Sequence, residues 1–256
     1  GTFRYHYTDV SSGNVTYAFP GAAGIKYAVS AAYVNYGHIE ELDEEGVASG
    51  ADLLPASFNP ALTASRAVSD RVRVGATLKG VTEYLGDFEG SQVGVGWGLD
   101  AGLLYDPGAR NLGFGLSLLN LGTKLQSQLA DGETGGLLPV SVKGGFYYHP
   151  LSMPRGRVAV DLELPWHDSP LLSGGFEYAI TPALTARVGS RASFSELLHA
   201  FLLATDQRPG DFEGGNALKA AGGFTFQAEG IGVDYAAQYW HGLSWVHAVT
   251  LRYGVM

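Results

Sequence analysis

Hydrophobicity alternates with a period of two along nearly the whole of this 256-residue chain, and that pattern restricts the fold to one built from extended strands. In RVRVGATLKGVTE, residues 71–83, Val72, Val74, Ala76 and Leu78 share one face, while Arg71, Arg73, Thr77, Lys79 and Glu83 share the other. VGVGWGLDAGLLY, residues 93–105, sets Val93, Val95, Trp97, Leu99, Leu103 and Tyr105 against Gly94, Gly96, Gly98, Asp100 and Gly102. RVAVDLELPW, residues 157–166, opposes Val158, Val160, Leu162, Leu164 and Trp166 to Arg157, Asp161 and Glu163, and LTARVGSR and IGVDYAAQYW repeat the theme. One face of each strand calls for an apolar medium, and the other for water or ion partners.

Cutting the chain at its Gly, Pro, Asp, Asn and Ser clusters gives fourteen candidate strands, near 2–9, 14–20, 23–38, 53–66, 70–86, 91–106, 111–122, 138–149, 156–166, 171–181, 183–194, 216–228, 230–242 and 245–255. The count is even, and the connections alternate in length. Short turns fall at Pro20-Gly21, Val68-Ser69, Pro107-Gly108-Ala109, Thr181-Pro182 and Glu229-Gly230, with HPLSMPRG somewhat longer. Long segments fall near 39–52, 123–137 and 195–215. Short turns at one rim and long loops at the other are the plan of an outer-membrane barrel, with periplasmic turns and extracellular loops. The 37 Gly, 14 Tyr and 12 Phe suit strands and turns. No apolar run approaches the ~20 residues of a spanning helix, and no charged and apolar leader opens the chain. The choice is therefore between a soluble β-protein and a barrel that crosses a membrane with strands.

Charge placement separates the two. In a soluble sandwich or lipocalin-like barrel the apolar faces turn inward, leaving bare glycine rows at 94–102 and 113–117 as solvated surface. With the apolar faces turned to lipid, the interior receives Arg4, Lys26, Arg73, Lys79, Lys143, Arg157, Arg187, Arg191, Lys219 and Arg252 together with Glu83, Asp100, Asp161, Glu163, Glu177 and Asp234. The second arrangement lets opposite charges meet. Arg73 and Lys79 are expected near acids of adjacent strands, with Asp100 and Glu83 the closest by register. Tyr5, Tyr17, Tyr27, Tyr33, Tyr105, Tyr148, Trp166, Tyr178, Tyr239, Trp245 and Tyr253 lie near strand ends, where an amphipathic ring suits the headgroup layer. The expectation is one all-β transmembrane antiparallel barrel over 1–256, in the bacterial outer membrane and in contact with its lipids.

Catalytic chemistry finds no foothold. The histidines His6, His38, His149, His167, His199, His241 and His247 are scattered without HxH or HExxH spacing, GxSxG is absent, and GVGWGLDAG alternates within a strand instead of opening a helix. No catalytic residue, metal site or cofactor is expected, and with 0 Cys no thiolate site exists. A formal net charge of −9 excludes a nucleic-acid surface. The acidic run EELDEEG at 40–46 lacks the spaced ladder of an EF-hand and reads as a solvated loop, with calcium bridging as its alternative. SELLHAFLLATD, residues 195–206, gives Leu197, Leu198, Phe201 and Leu202 a helical spacing behind a Ser195 cap. An apolar helix in an external loop covers the barrel mouth or contacts a partner.

Several stretches, AAYVNYGHIEELDEEG, SRAVSDRVRVGATLKGV, GLDAGLLYDPGARNLGFGLSLLNLGTKLQ and LPVSVKGGFYYHP, resemble the PorV/PorQ family of outer-membrane proteins, which is related in fold to the fourteen-stranded long-chain fatty acid transporter barrels. The resemblance covers roughly residues 25–181. It implies a non-enzymatic role with type IX secretion, in which the barrel binds secreted cargo or surface and periplasmic proteins of an attachment complex. Family members carry an N-terminal segment ahead of the first strand, and this chain begins at GTFRYHY, inside a strand, so that segment is expected to be missing. The alternative is a passive transporter of hydrophobic small molecules, which calls for an apolar path and a lateral opening. Charges paired across the lumen would fill it and disfavour that reading. A general porin is the third possibility.

Overall fold

The computed structural model describes residues 1–6, 9–42, 48–84, 93–108, 111–123, 126–127, 138–195, 197, 219–240 and 244–254. Their strands are β1 (Thr2–Tyr5), β2 (Ser11–Pro20), β3 (Ile25–Asn35), β4 (Ile39–Leu42), β5 (Ala48–Leu53), β6 (Ala56–Ala67), β7 (Val72–Tyr84), β8 (Val93–Tyr105) and β9 (Leu112–Gly122) in the first half. The second half adds β10 (Gln126–Ser127), β11 (Ser141–Tyr148), β12 (Gly156–Pro165), β13 (Leu171–Ala179), β14 (Leu184–Ser193), β15 (Lys219–Ala228), β16 (Ile231–Trp240) and β17 (Ser244–Tyr253).

Fourteen of these strands form a closed antiparallel ring. Each of β1, β2, β3, β6, β7, β8, β9, β11, β12, β13, β14, β15, β16 and β17 pairs with the next, and β1 closes on β17 with Thr2 opposite Thr250. Closure leaves no unpaired strand edge, which a wall in hydrocarbon requires. The fourteen strands read from alternation are these fourteen, displaced by only a few residues at their ends. Fourteen strands ~4.8 Å apart and tilted ~40° make a ring roughly 28 Å across at the backbone, too wide for side chains from opposite walls to fill.

The connections sort onto two rims. Residues 21–24, 68–71, 106–111, 149–155, 180–183 and 229–230 join strands at one rim, and both chain ends lie there, with the Gly1 amine on the Leu251 carbonyl at 2.7 Å. Glu229 (φ 46°) and Gly230 (φ 82°) make the tightest turn, with both residues left-handed as a two-residue hairpin loop demands. The long connections all leave the other rim. The segment expected as a loop at 39–52 is instead the β4–β5 hairpin, standing outside the ring with Ile39 opposite Leu53 and Glu40 opposite Asp52. Most of EELDEEG, residues 43–46, lies outside the described residues, as does the greater part of 123–137 and 195–215.

The apolar rows face outward. Leu78, Trp97, Leu116, Val188 and Leu251 are each about half exposed or more, and Val74, Leu99, Leu103, Leu162, Leu164 and Leu172 share the same wall. Aromatic rings gather toward both ends of that wall. At the short-turn rim Tyr17 stacks on Phe19, Tyr105 on Phe114 and Phe176 on Tyr178, and at the long-loop rim Tyr239 packs on Trp245. No helix among the described residues is long and apolar enough to span a membrane.

Two irregularities break the wall. Between β8 and β9 the register moves from Leu99 opposite Leu121 to Ala101 opposite Leu118, so β9 holds one extra residue, and Asn120 takes φ 61°. Between β6 and β7 the ladder lapses at Asn59 and Pro60, resuming at Ala61 opposite Lys79. Pro60 has no N–H to give. The buried Asn59 Oδ1 also lacks a partner among the described residues.

Candidate functional site in the barrel lumen

Strand parity carries the charged side chains to the inner wall, and the barrel's register decides which of them meet. Lys79 on β7 reaches Asp100 on β8, its Nζ donating to Oδ1 at 2.7 Å and Oδ2 at 2.8 Å. The β9 bulge completes this group: Asn120 N donates to Asp100 Oδ1 at 2.7 Å, Lys79 Nζ donates to Asn120 Oδ1, and Asn120 Nδ2 donates to the Pro139 carbonyl at 2.7 Å. Leu138, one of the few buried apolar side chains, lies over Gly98 beside the Lys79 stem, where a Cβ on Gly98 would stand 3.0 Å from Leu138 Cδ1. The chain entering β11 is thus drawn into the lumen and tied to the bulge.

A second group runs around the wall. Glu177 on β13 accepts from Arg157 on β12 at 3.0 Å and from Arg187 on β14 at 2.9 Å. Arg187 also reaches Asp234 on β16 at 3.3 Å, and Arg252 on β17 grips Asp234 with Nε and Nη2 at 2.9 and 3.0 Å. Thr225 donates its hydroxyl to the same carboxylate. Higher on the wall Arg191 pairs with Glu163 at 3.0 Å, and Lys143 stands 3.5 Å from Asp161. Glu83 enters none of the ion pairs among the described residues; its inward place on β7 puts it opposite Ser57 and Gly94, away from Lys79. Arg73 likewise has no acidic partner among them.

These pairs link strands that are adjacent or one apart, so they run along the wall and not across the lumen. That corrects the expectation that paired charges fill the barrel. Arg157, Arg187 and Arg252 keep 42%, 45% and 53% of their side-chain surface exposed. Among the described residues no large side chain is fully buried. A cavity of about 790 Å³ opens against the wall from β3 to β12, bounded by Lys26, Thr63, Thr77, Gly102, Tyr147 and Ala159 among others.

Of the four apolar residues expected in an external helix, Leu197 is described and has helical backbone, with Phe194 and Ser195; Leu198, Phe201 and Leu202 lie outside the described residues. The helical turn starts two residues earlier than a Ser195 cap would place it, because Phe194 is already helical, and Ser195 Oγ instead shares a hydrogen bond with Ser193 Oγ at 2.9 Å. Asn120 and Leu138 were not anticipated. Asn120 carried a signal, since Asn accepts the left-handed conformation more readily than other residues do.

No family model matches the sequence, and no curated protein does. Solved structures do match. The toluene transporter TodX of Pseudomonas putida superposes with a TM-score of 0.64 at 11% identity, over 98% of this chain and 86% of that one. The CymD monoaromatic hydrocarbon channel gives 0.65 at 11% identity, over 99% and 87%. CdiB from Acinetobacter baumannii gives 0.50 at 11% identity, over 95% of this chain and 50% of that one. At such identity the likeness is one of fold: this chain is a closed fourteen-stranded antiparallel β-barrel, the architecture that TodX and CymD share with it.

Proposed function

We propose that the barrel is a passive outer-membrane conduit for small hydrophobic molecules. The hollow interior carries this reading: charges lie flat along the wall, and the cavity of about 790 Å³ falls in the range of roughly 300–1,000 Å³ usual for small-molecule sites. The fold shared with two hydrocarbon channels supports it. The lapse in the β6–β7 ladder at Pro60 supplies a weak line in the wall for lateral exit into lipid. The test is passage of labelled toluene into proteoliposomes, compared with a variant whose lumen is filled by Gly102→Trp and Gly115→Trp. Passage well above empty liposomes, cut back in the filled variant, is expected; equal passage in all three preparations overturns the reading.

A second reading, a PorV/PorQ-type binding and scaffolding subunit for secretion or surface attachment, draws on the long connections, which all leave one rim, and on the β4–β5 hairpin standing beyond the ring. Leu197, Leu198, Phe201 and Leu202 are its proposed contacts. Gentle extraction should then bring a surface or periplasmic protein along with the barrel, and Phe201→Ser with Leu202→Ser should release it. A barrel isolated alone under every mild condition removes this reading.

A further inference from the structure

The lumen is cationic although the protein is acidic. Inward strand faces among the described residues carry ten Lys or Arg and six Asp or Glu, an excess of four positive charges in a chain of formal net charge −9. Six of the ten inward cations pair with carboxylates; Arg4, toward the other rim on β1, has none within ion-pair distance among the described residues, and neither do Lys26 and Arg73. Lys26 and Arg73 flank β6 at its short-turn end, Lys26 opposite Ser65 and Arg73 opposite Ala67, and both border the same cavity. Beside them the inner wall is low where Gly75 lies opposite Gly102, and Leu104, opposite Arg73, covers Gly115, while the Asp161 side chain covers Gly145. Unpaired cations next to a shallow apolar strip of glycines and Leu104 suit a ligand with an anionic head and a small flat apolar body.

We infer that Lys26 and Arg73 form an anion-binding site in the short-turn half of the lumen, taking the carboxylate of a small aromatic acid while Gly75, Gly102 and the Leu104 side chain take its ring. An Arg fork and a Lys ammonium give a carboxylate several hydrogen bonds between opposite charges, whereas a neutral alcohol of similar size offers one uncharged acceptor and no ion pairing. The acidic balance of the rest of the chain confines this attraction to the lumen. The inference rests on the conduit reading for its biological sense, since it narrows the permeant class to organic anions, but the site can be tested without transport.

The probes are benzoate and the neutral, similarly sized benzyl alcohol, titrated calorimetrically into the folded protein in detergent. Benzoate should bind at least about tenfold more tightly than benzyl alcohol, and Lys26→Gln with Arg73→Gln should remove that advantage while changing benzyl alcohol binding far less than benzoate binding. Benzoate binding no tighter than that of benzyl alcohol, or unchanged in the variant, overturns the site. Should the variant not fold, the wild-type protein decides: raising NaCl from 50 to 500 mM should weaken benzoate binding several-fold, and insensitivity to salt overturns the site. Toluene passage without benzoate preference leaves the conduit and removes the site. Benzoate binding without passage of either molecule keeps the site and removes the conduit.

Discussion

Replacing Asp100 by Asn isolates the contribution of the bulge network. The Asp100 carboxylate accepts two bonds from Lys79 Nζ at 2.7 and 2.8 Å and one from Asn120 N at 2.7 Å, with side-chain exposures of 19% for Lys79 and 22% for Asp100. Asn keeps the shape and one acceptor but gives up the charge. A hydrogen bond to a charged group contributes ~1.5–3 kcal/mol, and exposure of about a fifth trims the upper end, so Asp100→Asn should cost about 2 kcal/mol. Lys79→Met should cost a similar amount by leaving the carboxylate with Asn120 alone. Removing both charges, as Lys79→Met with Asp100→Asn, should cost clearly less than the two singles added together, because no ion is left uncompensated. Urea titration of the folded barrel in lipid vesicles, read by tryptophan fluorescence, measures all three. Single-variant losses under about 0.5 kcal/mol, or strict additivity in the double variant, would refute the coupling.

Other perturbations have distinct expected outcomes. Leu78→Arg puts a charge on the lipid face and should cost ~2–4 kcal/mol near mid-membrane, whereas Thr77→Arg, turned inward, should cost far less; equal losses in the same vesicle titration would contradict the orientation. Arg187→Gln breaks bonds to Glu177 and Asp234, but at 45% exposure the loss should stay below about 1 kcal/mol, and a larger drop would mean that solvent does not screen the network. Gly122→Ala would bring a Cβ to 2.0 Å from the Trp97 carbonyl oxygen, backbone against backbone, and should cost ~1–3 kcal/mol in that titration; an unchanged midpoint would show that the bulge yields. Burial, and then the Arg4 charge, hold His6 below its usual 6.5, so its NMR titration midpoint should lie under that value. The unfolded chain then takes up the proton first, and stability should decline as pH falls from about 6.5 until the folded value is passed. A midpoint at or above 6.5 refutes the burial.

The fold was legible because a barrel wall imposes one local rule on every strand. Alternation at 72–84 and 93–105 marked both faces, and short turns such as Glu229-Gly230 separated hairpins without any tertiary knowledge. Register was not legible. Nothing local in Arg187 says that it lies beside Glu177 and within reach of Asp234, since those contacts arise from stagger around the whole ring. Lys79 meets the adjacent-strand partner Asp100 that register suggests, but whether the other charges pair along the wall or across it depends on the ring's width, which no local pattern states. Asn120 turned Asp100 and Lys79 into a three-residue network through a single left-handed residue, a choice of φ that the alternation of LLNLG does not reveal. Leu138 sits just before a strand, and only the bond from Asn120 to Pro139 brings it inside.

The membrane barrel and the conduit both depend on outward apolar rows and a hollow, wetted lumen, and a scan of single cysteines along Val72–Tyr84 tests that most directly. The chain contains 0 Cys, so each introduced thiol can carry one spin label without background. In vesicles, labels at Val74, Ala76 and Leu78 should be relaxed by oxygen, which concentrates in hydrocarbon, and labels at Arg73, Thr77 and Lys79 by a water-soluble nickel chelate, with a strict period of two. Reversed phase would place the apolar rows inside and contradict the membrane barrel. Inward positions shielded from both reagents would mean a filled lumen and contradict the conduit.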